Sequence, residues 1–223
     1  MIQLKNKGQL IVLSGPSGCG KNTICNALLK RNQNLWLSIS CTSRKPRGTE
    51  QDGKDYFFLT TKEFEKKIEQ NDFLEYAEYN GNYYGTPKSK IQEYLNQGID
   101  VILEIEVQGA LKVKEKIKDA LFIFIMPPSM QELKRRLENR GTENESKIMN
   151  RFRIAYQEIN EVSKYNYVVV NDDVDLAVEK VNAIITAERC RVDRIEDVYL
   201  NSDEEEIHEF LMDKEFDNHD ISI

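Results

Sequence analysis

Short apolar runs alternate with stretches of helical periodicity along most of this chain. The runs are Gln9–Ser14, Leu35–Ser40, Val101–Glu106, Leu121–Met126 and Tyr167–Val170. Helical spacing covers Gly109–Lys118, Met130–Asn139, Ser146–Ser163 and Val174–Cys190. Consecutive Val, Ile and Leu in the strands mean burial on both faces, as in a parallel sheet flanked by helices. The pattern therefore predicts an α/β fold with a doubly wound parallel sheet. Between Cys41 and Gly98 the rhythm changes. A strand is expected at Asp55–Leu59, followed by a helix that Thr60 and Glu63 open as a capping box. Phe73–Tyr79 and Asn82–Gly85 flank the turn pair Asn80-Gly81 and read as a hairpin. A further helix starts at Pro87 and stops before Gly98. This stretch reads as a small α+β lobe inserted into the core. The polar break Gly141-Thr142-Glu143-Asn144-Glu145, between two arginine-bearing helices, is expected to form part of a mobile lid, about 137–151.

The chain has 223 residues, of which 40% are hydrophobic and 31% charged, enough for one well-buried core. No apolar run is long enough to span a bilayer, and Met1–Lys7 lacks the apolar stretch of a secretory signal. A cytoplasmic protein without a membrane partner is the expectation. Cys19, Cys25, Cys41 and Cys190 show no C-x-x-C spacing, which points to reduced thiols and not to a disulfide frame or zinc site. Both histidines, His208 and His219, lie near the C-terminus, away from every other candidate residue. Residues 191–223 carry twelve acidic and three basic side chains, a net of −9, against −7 for the whole chain. Residues 1–190 are therefore mildly basic, at +2, without the basic surface of a nucleic-acid binder. This sets off 1–190 as the folded body and 191–223 as an acidic tail. Within the tail, Asn201–Ile223 is expected to be disordered or one loosely packed helix.

The densest chemistry lies at Gly15-Pro16-Ser17-Gly18-Cys19-Gly20-Lys21-Asn22-Thr23, between the first strand and a helix. Glycines there let successive backbone N–H groups curl around a phosphate, and the helix N-terminus adds unpaired N–H groups of its own. Lys21 brings a full charge to the outer phosphates, and a hydroxyl at the helix start ligates Mg²⁺. Asn22 breaks the pattern, since Ser or Thr normally follows the lysine; here the hydroxyl comes one place later, at Thr23. Cys19 reads better as a small filler than as a reactive thiolate. The loop implies a nucleoside triphosphate.

A second ligand is read from the inserted lobe. Arg44 and Arg47 flank a Pro, three residues apart, as a pair able to clamp a phosphate. An isolated basic loop of this kind is also a common solvated feature. Tyr56 and Tyr84 supply hydroxyls toward the same phosphate, although tyrosines in short strands are often simply packed. Glu104 and Glu106, in the otherwise apolar strand Val101–Glu106, both point to one face, since strand side chains alternate. They either close the sheet edge or bind a ligand, and charge in such a strand is costly without a partner. Arg136 and Arg140 share a helix face, i and i+4.

Taken collinearly, these segments resemble the guanylate kinase family over about 180 residues. The match runs through Gly15–Lys21, Ser40…Arg44…Arg47, Gly53-Lys54-Asp55-Tyr56, Phe73-Leu74-Glu75-Tyr76-Ala77, Gly81–Thr86, Leu103–Gly109, Arg136…Arg140-Gly141-Thr142-Glu143…Arg151 and Val170-Asn171-Asp172-Asp173. The resemblance implies transfer of the γ-phosphoryl of MgATP to GMP, and by extension dGMP, giving ADP and GDP within purine nucleotide metabolism. It implies a P-loop core of 1–40 and 99–190, a GMP-binding lobe at 41–98 and a helical lid. ATP would contact Gly15, Ser17, Gly18, Cys19, Gly20, Lys21, Asn22 and Thr23, with Asn171 and Asp172 beside the adenine. Arg44, Arg47, Tyr56 and Tyr84 would hold the GMP phosphate. Glu75, Thr86, Glu104 and Glu106 would face the guanine, with Ser40 nearby. Glu75 would accept from guanine N1–H and N2–H while the Thr86 hydroxyl donates to O6. Adenine would leave such buried groups unpaired, at about 1–3 kcal/mol each. Lys21, Arg44, Arg136, Arg140 and Arg151 would neutralise the transferring phosphoryl. Mg²⁺ would be held by Thr23 directly and by Glu106 through water. ATP and GMP are the expected partners, the chain being a monomer or homodimer. Two other readings compete: a guanylate-kinase-like binding module without catalysis, and a phosphotransferase with a ribose-phosphate acceptor.

Overall fold

The computed structural model describes residues 3–79, 81–138 and 145–199. Five parallel strands form the central sheet: β2 (Leu10–Ser14), β3 (Leu35–Leu37), β8 (Asp100–Glu104), β9 (Leu121–Met126) and β10 (Tyr167–Val170), in the order β10-β9-β2-β8-β3. The order doubles back around β2, so crossover helices fall on both faces. The core follows the two-residue strand period. Ile11, Leu13, Ile102, Ile123 and Ile125 turn to one face, where they meet Ile24 and Leu28 of α1 (Lys21–Arg31) and Val178 and Val181 of α7 (Val174–Arg189). Leu10, Val12, Val101, Leu103 and Phe122 turn to the other, against Ala110 and Val113 of α4 (Val107–Lys116) and Ile91 of α3 (Lys88–Asn96). The doubly wound core expected from the apolar runs is what forms.

Residues 41–87 build a second sheet. Its strands are β4 (Cys41–Thr42), β5 (Phe57–Phe58), β6 (Phe73–Tyr79) and β7 (Asn82–Pro87), in the order β5-β4-β7-β6. Helix α2 (Thr61–Glu69) covers it, capped by the reciprocal Thr60–Glu63 bonds that the sequence signals. Phe64 of α2 stacks on Phe73 and Tyr83, with ring centroids 4.4 and 5.2 Å apart. Gly81 takes φ +70 beside the hairpin turn; its neighbour Asn80 lies outside the described residues. The hairpin pairing is interrupted. Phe73 pairs with Pro87 and Tyr76 with Gly85, so Leu74 and Glu75 together face Thr86 in a bulge.

Helices α5 (Met130–Glu138) and α6 (Glu145–Ile159) pack through Leu133, Leu137 and Ala155, and a 3₁₀ turn, Asn160–Lys164, extends α6. Residues 139–144 of the expected lid, Arg140 among them, lie outside the described residues.

Two expectations need correction. The strand carrying the paired carboxylates ends at Glu104; Glu106 is instead the N-cap of α4, its carbonyl accepting from Ala110 N–H at 2.9 Å. The two do not alternate along one strand, because the backbone turns into the helix at Ile105. The stretch just past residue 190 is also ordered. After a 3₁₀ turn, β11 (Ile195–Tyr199) pairs antiparallel with β1 (Gln3–Asn6), so folded structure reaches into the acidic segment. Its β-forming residues Ile195, Val198 and Tyr199 stand among acidic ones, a strand tendency that net charge obscures. Asn201–Ile223 lies outside the described residues.

Candidate active site

The glycine-rich loop leaves β2 at its C-terminal end and enters α1 at Lys21. Three glycines take positive φ there: Gly15 (147°), Gly18 (90°) and Gly20 (96°). A side chain at Gly15 would place its Cβ 2.2 Å from the carbonyl oxygen of Ile125, and one at Gly20 would lie 2.3 Å from Asn171 Nδ2. The loop is thus shaped by close backbone approach, as a phosphate cradle requires. Lys21 is buried, and its ammonium donates to the carbonyls of Gly15 at 2.6 Å and Pro16 at 3.3 Å. Those bonds hold the charge inside the loop. Burial raises the Cys19 thiol to about 11, so it is a packed side chain and not a nucleophile.

Three distant segments close on this loop. Asn171, after β10, donates from Nδ2 to the Cys19 carbonyl at 2.8 Å. Arg136 of α5 donates to the Asn171 carbonyl at 3.0 Å, while its Nε bonds Glu132 at 2.8 Å. Arg151 of α6 reaches the Ser17 hydroxyl at 2.5 Å. Arg136 and Arg151 are therefore gathered at the loop. Asp172 is exposed beside Asn171, and Thr23 is exposed in the first turn of α1.

A cavity of about 360 Å³ lies between the core and the inserted lobe. It is lined by Lys21, Ser40, Tyr56, Glu75, Tyr84, Glu104 and Glu106, all singled out from the sequence, together with Gln108, Gly109 and Lys112. One end thus carries the loop lysine and the other the lobe's polar groups. Thr86 is buried behind the wall and donates its hydroxyl proton to Glu75 Oε1 at 2.6 Å. In this arrangement the Thr86 proton goes to Glu75 and its oxygen is an acceptor. Glu104 is raised above the ordinary carboxylate range by burial, against the lowering influence of Lys21 and Asn22.

The arginine pair divides. Arg44 is buried, and its guanidinium makes a two-pronged pair with Glu50, at 2.7 and 3.0 Å. It also lies 5.2 Å from the centre of the Tyr56 ring. This pairing raises Arg44 further and holds Glu50 down at about 2. Arg47 is exposed, and its backbone N–H, not its side chain, donates to Glu50 at 2.7 Å. Neither arginine lines the cavity in this arrangement.

Two contributors escape sequence reasoning. Glu50 has no pattern that marks it; only the fold of the loop turns it back on Arg44. Glu158 is buried, and its Oε2 has no hydrogen-bond partner. Burial raises its carboxyl, with the charge of Glu106 adding to the effect. Its seven-residue distance from Arg151 places both on one face of α6, a signal that was available.

The guanylate kinase family model matches residues 7–188. The chain belongs to the guanylate kinase family. A guanylate kinase of Clostridium tetani is 62% identical over 207 residues, 93% of this chain and 99% of the relative. One of Clostridium acetobutylicum is 58% identical over 210 residues, 94% and 100% of the two chains. The crystal structure of guanylate kinase from Anaplasma phagocytophilum shares the fold at a TM-score of 0.69 and 35% identity, covering 87% of this chain and 93% of that one. Among the described residues no helix is long and apolar enough to cross a membrane.

Proposed function

We propose that this chain transfers the γ-phosphoryl group of ATP to GMP, and also to dGMP, yielding ADP and the nucleoside diphosphate. The observation that carries the reading is the shared cavity. Lys21 at the phosphate loop and Glu75, Tyr84 and Glu104 on the acceptor side line one space of about 360 Å³. Phosphoryl transfer asks the protein chiefly to align two substrates and neutralise charge, and that layout suits the task.

ATP would lie along the glycine cradle, Gly15, Ser17, Gly18, Cys19 and Gly20, with its adenine toward Asn171 and Asp172. Lys21 would exchange its carbonyl partners for the outer phosphates. The guanine of GMP would present N1–H and N2–H to Glu75, whose orientation Thr86 fixes. Ser40 and Glu104 would border the base, and Tyr56 and Tyr84 would donate to its phosphate. Arg44 and Arg47 would complete the phosphate site once an anion competes with Glu50. Arg136, Arg140 and Arg151 would neutralise the transferring group, and their segment would exclude water on closure.

The residues present fit Mg²⁺. Thr23 offers an exposed hydroxyl in the first turn beside the cradle, and the Glu106 carboxylate lines the cavity with Lys21. These are hard oxygen donors in the small number that Mg²⁺ accepts alongside phosphates and water. Thr23 would hold it directly and Glu106 through water. When bound, Mg²⁺ supplies charge neutralisation across the β- and γ-phosphates.

The domain reading assigns 1–40 and 99–190 to the core, 41–98 to the GMP-binding lobe and about 137–151 to the lid. The reaction belongs to purine nucleotide metabolism in the cytoplasm, carried out by a monomer or homodimer without nucleic-acid or membrane partners. A non-catalytic binding module does not require a buried loop lysine, yet Lys21 is present with Arg136 and Arg151 gathered at the loop. ADP release should be followed with GMP, dGMP, AMP and no acceptor. GMP and dGMP are expected to support turnover well above the blank, with AMP near it; GMP turnover equal to the blank would refute the proposal.

A further inference from the structure

Phe73, Leu74 and Glu75 follow one another in β6 and meet three different surroundings. Phe73 is buried in the lobe's own apolar cluster, with Phe64 and Cys41. Leu74 is buried instead in the core cluster that holds Ala110 and Val113 of α4. Glu75 lines the acceptor cavity and accepts from the Thr86 hydroxyl at 2.6 Å. The bulge makes this possible, because two residues of β6 sit opposite one of β7 and the strict alternation of faces is broken.

A bulge also takes backbone groups out of the regular ladder, and each then needs another partner. The Leu74 carbonyl finds one outside the lobe: Lys116 Nζ, on the last turn of α4, donates to it. The charge on the donor makes such a bond stronger than a neutral one. Lys116 stands one turn beyond Val113, so α4 meets Leu74 twice, through the shared apolar cluster and at the carbonyl. The start of the same helix lines the acceptor cavity through Gln108 and Gly109, with Lys112 one turn on. The helix is itself seated on the central sheet, where Ala110 and Val113 share their cluster with Val12, Leu103 and Phe122. Glu75 is therefore located with respect to the core, not only within its own lobe.

We infer that Lys116 is a positioning residue for the phosphoryl acceptor: its bond to the Leu74 carbonyl pins the β6 bulge to α4 and so sets where the Glu75 carboxylate stands against the base. The inference rests on the proposed ATP:GMP transfer and deepens it, by adding a residue that does not itself line the cavity. In the sequence Lys116 is one of a run of lysines, Lys112, Lys114, Lys116 and Lys118. Lys114 turns elsewhere, to the Lys164 carbonyl and the Phe122 ring, and so provides a matched control for loss of charge from α4.

The test compares the unsubstituted chain with Lys116→Met, Lys116→Arg, Lys114→Met, Glu75→Ala and the Lys116→Met/Glu75→Ala double variant. Steady-state constants are measured for GMP and ATP, each at saturation of the other, together with the ratio of kcat/KM for GMP over AMP and the melting temperature. Lys116→Met should raise KM for GMP about five-fold and lower the GMP preference, the size expected for one charge-assisted hydrogen bond acting through a second residue. KM for ATP should stay within about two-fold, as should every constant of Lys114→Met. Lys116→Arg keeps a charged donor and should recover most of the loss. In the Glu75→Ala background there is no carboxylate left to position, so Lys116→Met should add less than about two-fold. The inference is overturned if Lys116→Met leaves KM for GMP unchanged, if it raises both KM values alike with a lowered melting temperature, or if its effect persists in full without Glu75. Should Lys116→Met be too unstable to assay, Lys116→Gln, uncharged and one atom shorter, must show the same GMP-selective loss. An unsubstituted chain with no GMP-dependent turnover would instead overturn the function on which the inference rests.

Discussion

Asn171 Nδ2 donates to the carbonyl of Cys19 at 2.8 Å, tying the loop after β10 to the phosphate cradle 152 residues earlier. The same Nδ2 occupies the space that a Cβ on Gly20 would need, 2.3 Å away. Gly20 also sits at φ +96, where side chains are strained. Gly20→Ala should therefore destabilise the protein by about 1–3 kcal/mol and weaken ATP binding severely. Adding Asn171→Ala removes the clash but not the dihedral strain, so the double variant should recover only part of the loss. Thermal unfolding and ATP titration of the three variants check this, and full recovery would show that the backbone strain is negligible.

Lys21 is held by the loop's own carbonyls, which makes it a poor candidate for a structural cation elsewhere. Lys21→Met should cut turnover by about a thousand-fold or more, while the far-ultraviolet spectrum and melting temperature change little. A collapse of the melting temperature instead would mean that the ammonium bonds to Gly15 and Pro16 support the fold.

The Thr86–Glu75 bond predicts a separation between the two substrates. Thr86→Val preserves volume but removes the donor to Glu75, leaving the carboxylate free to turn. KM for GMP should rise about ten-fold and preference for GMP over AMP should fall, with KM for ATP unchanged. Thr86→Ser retains the donor and should stay close to the parent. Equal losses for both substrates would place the effect in the fold of the hairpin.

Acid should weaken the protein through its depressed carboxylates. Glu50, bonded by Arg44 and the Arg47 N–H, and Glu132, bonded by Arg135 and Arg136, are both lowered from an ordinary 4.5 to about 2. A lowered folded-state value means that their stabilisation is complete above about pH 4.5 and is lost as pH falls toward 2. Burial raises Asp100 and Glu158, whose contributions run the other way and fade as pH rises. Melting temperature followed from pH 6 to 2 should fall most steeply below 4.5. Glu50→Gln should flatten that slope, and 1 M salt should weaken the Glu132 share more than the Glu50 share, since Arg135 is exposed whereas Arg44 is buried.

Much of the core could be read from local pattern. Consecutive apolar residues in β2 and β9 specify burial on both faces, and that is a property of the run itself. The Thr60–Glu63 cap and the Gly81 turn are equally local, decided by residues within three positions of each other. The phosphate cradle is legible for the same reason: its glycines, Lys21 and Thr23 lie within nine consecutive residues.

Contacts between remote segments decided the rest. The sequence by itself determined the strand–loop–helix cradle, the two-sided sheet and the residue types offered to each substrate. Only the tertiary structure ended β8 at Glu104 and turned Glu106 into a helix cap, because the backbone must leave the sheet to begin α4. It alone set the bulge that puts Glu75 against Thr86, since hairpin register depends on how both strands pack, not on either one. It engaged Arg44 with Glu50, buried Glu158 near the loop and brought Ile195–Tyr199 back to the first strand.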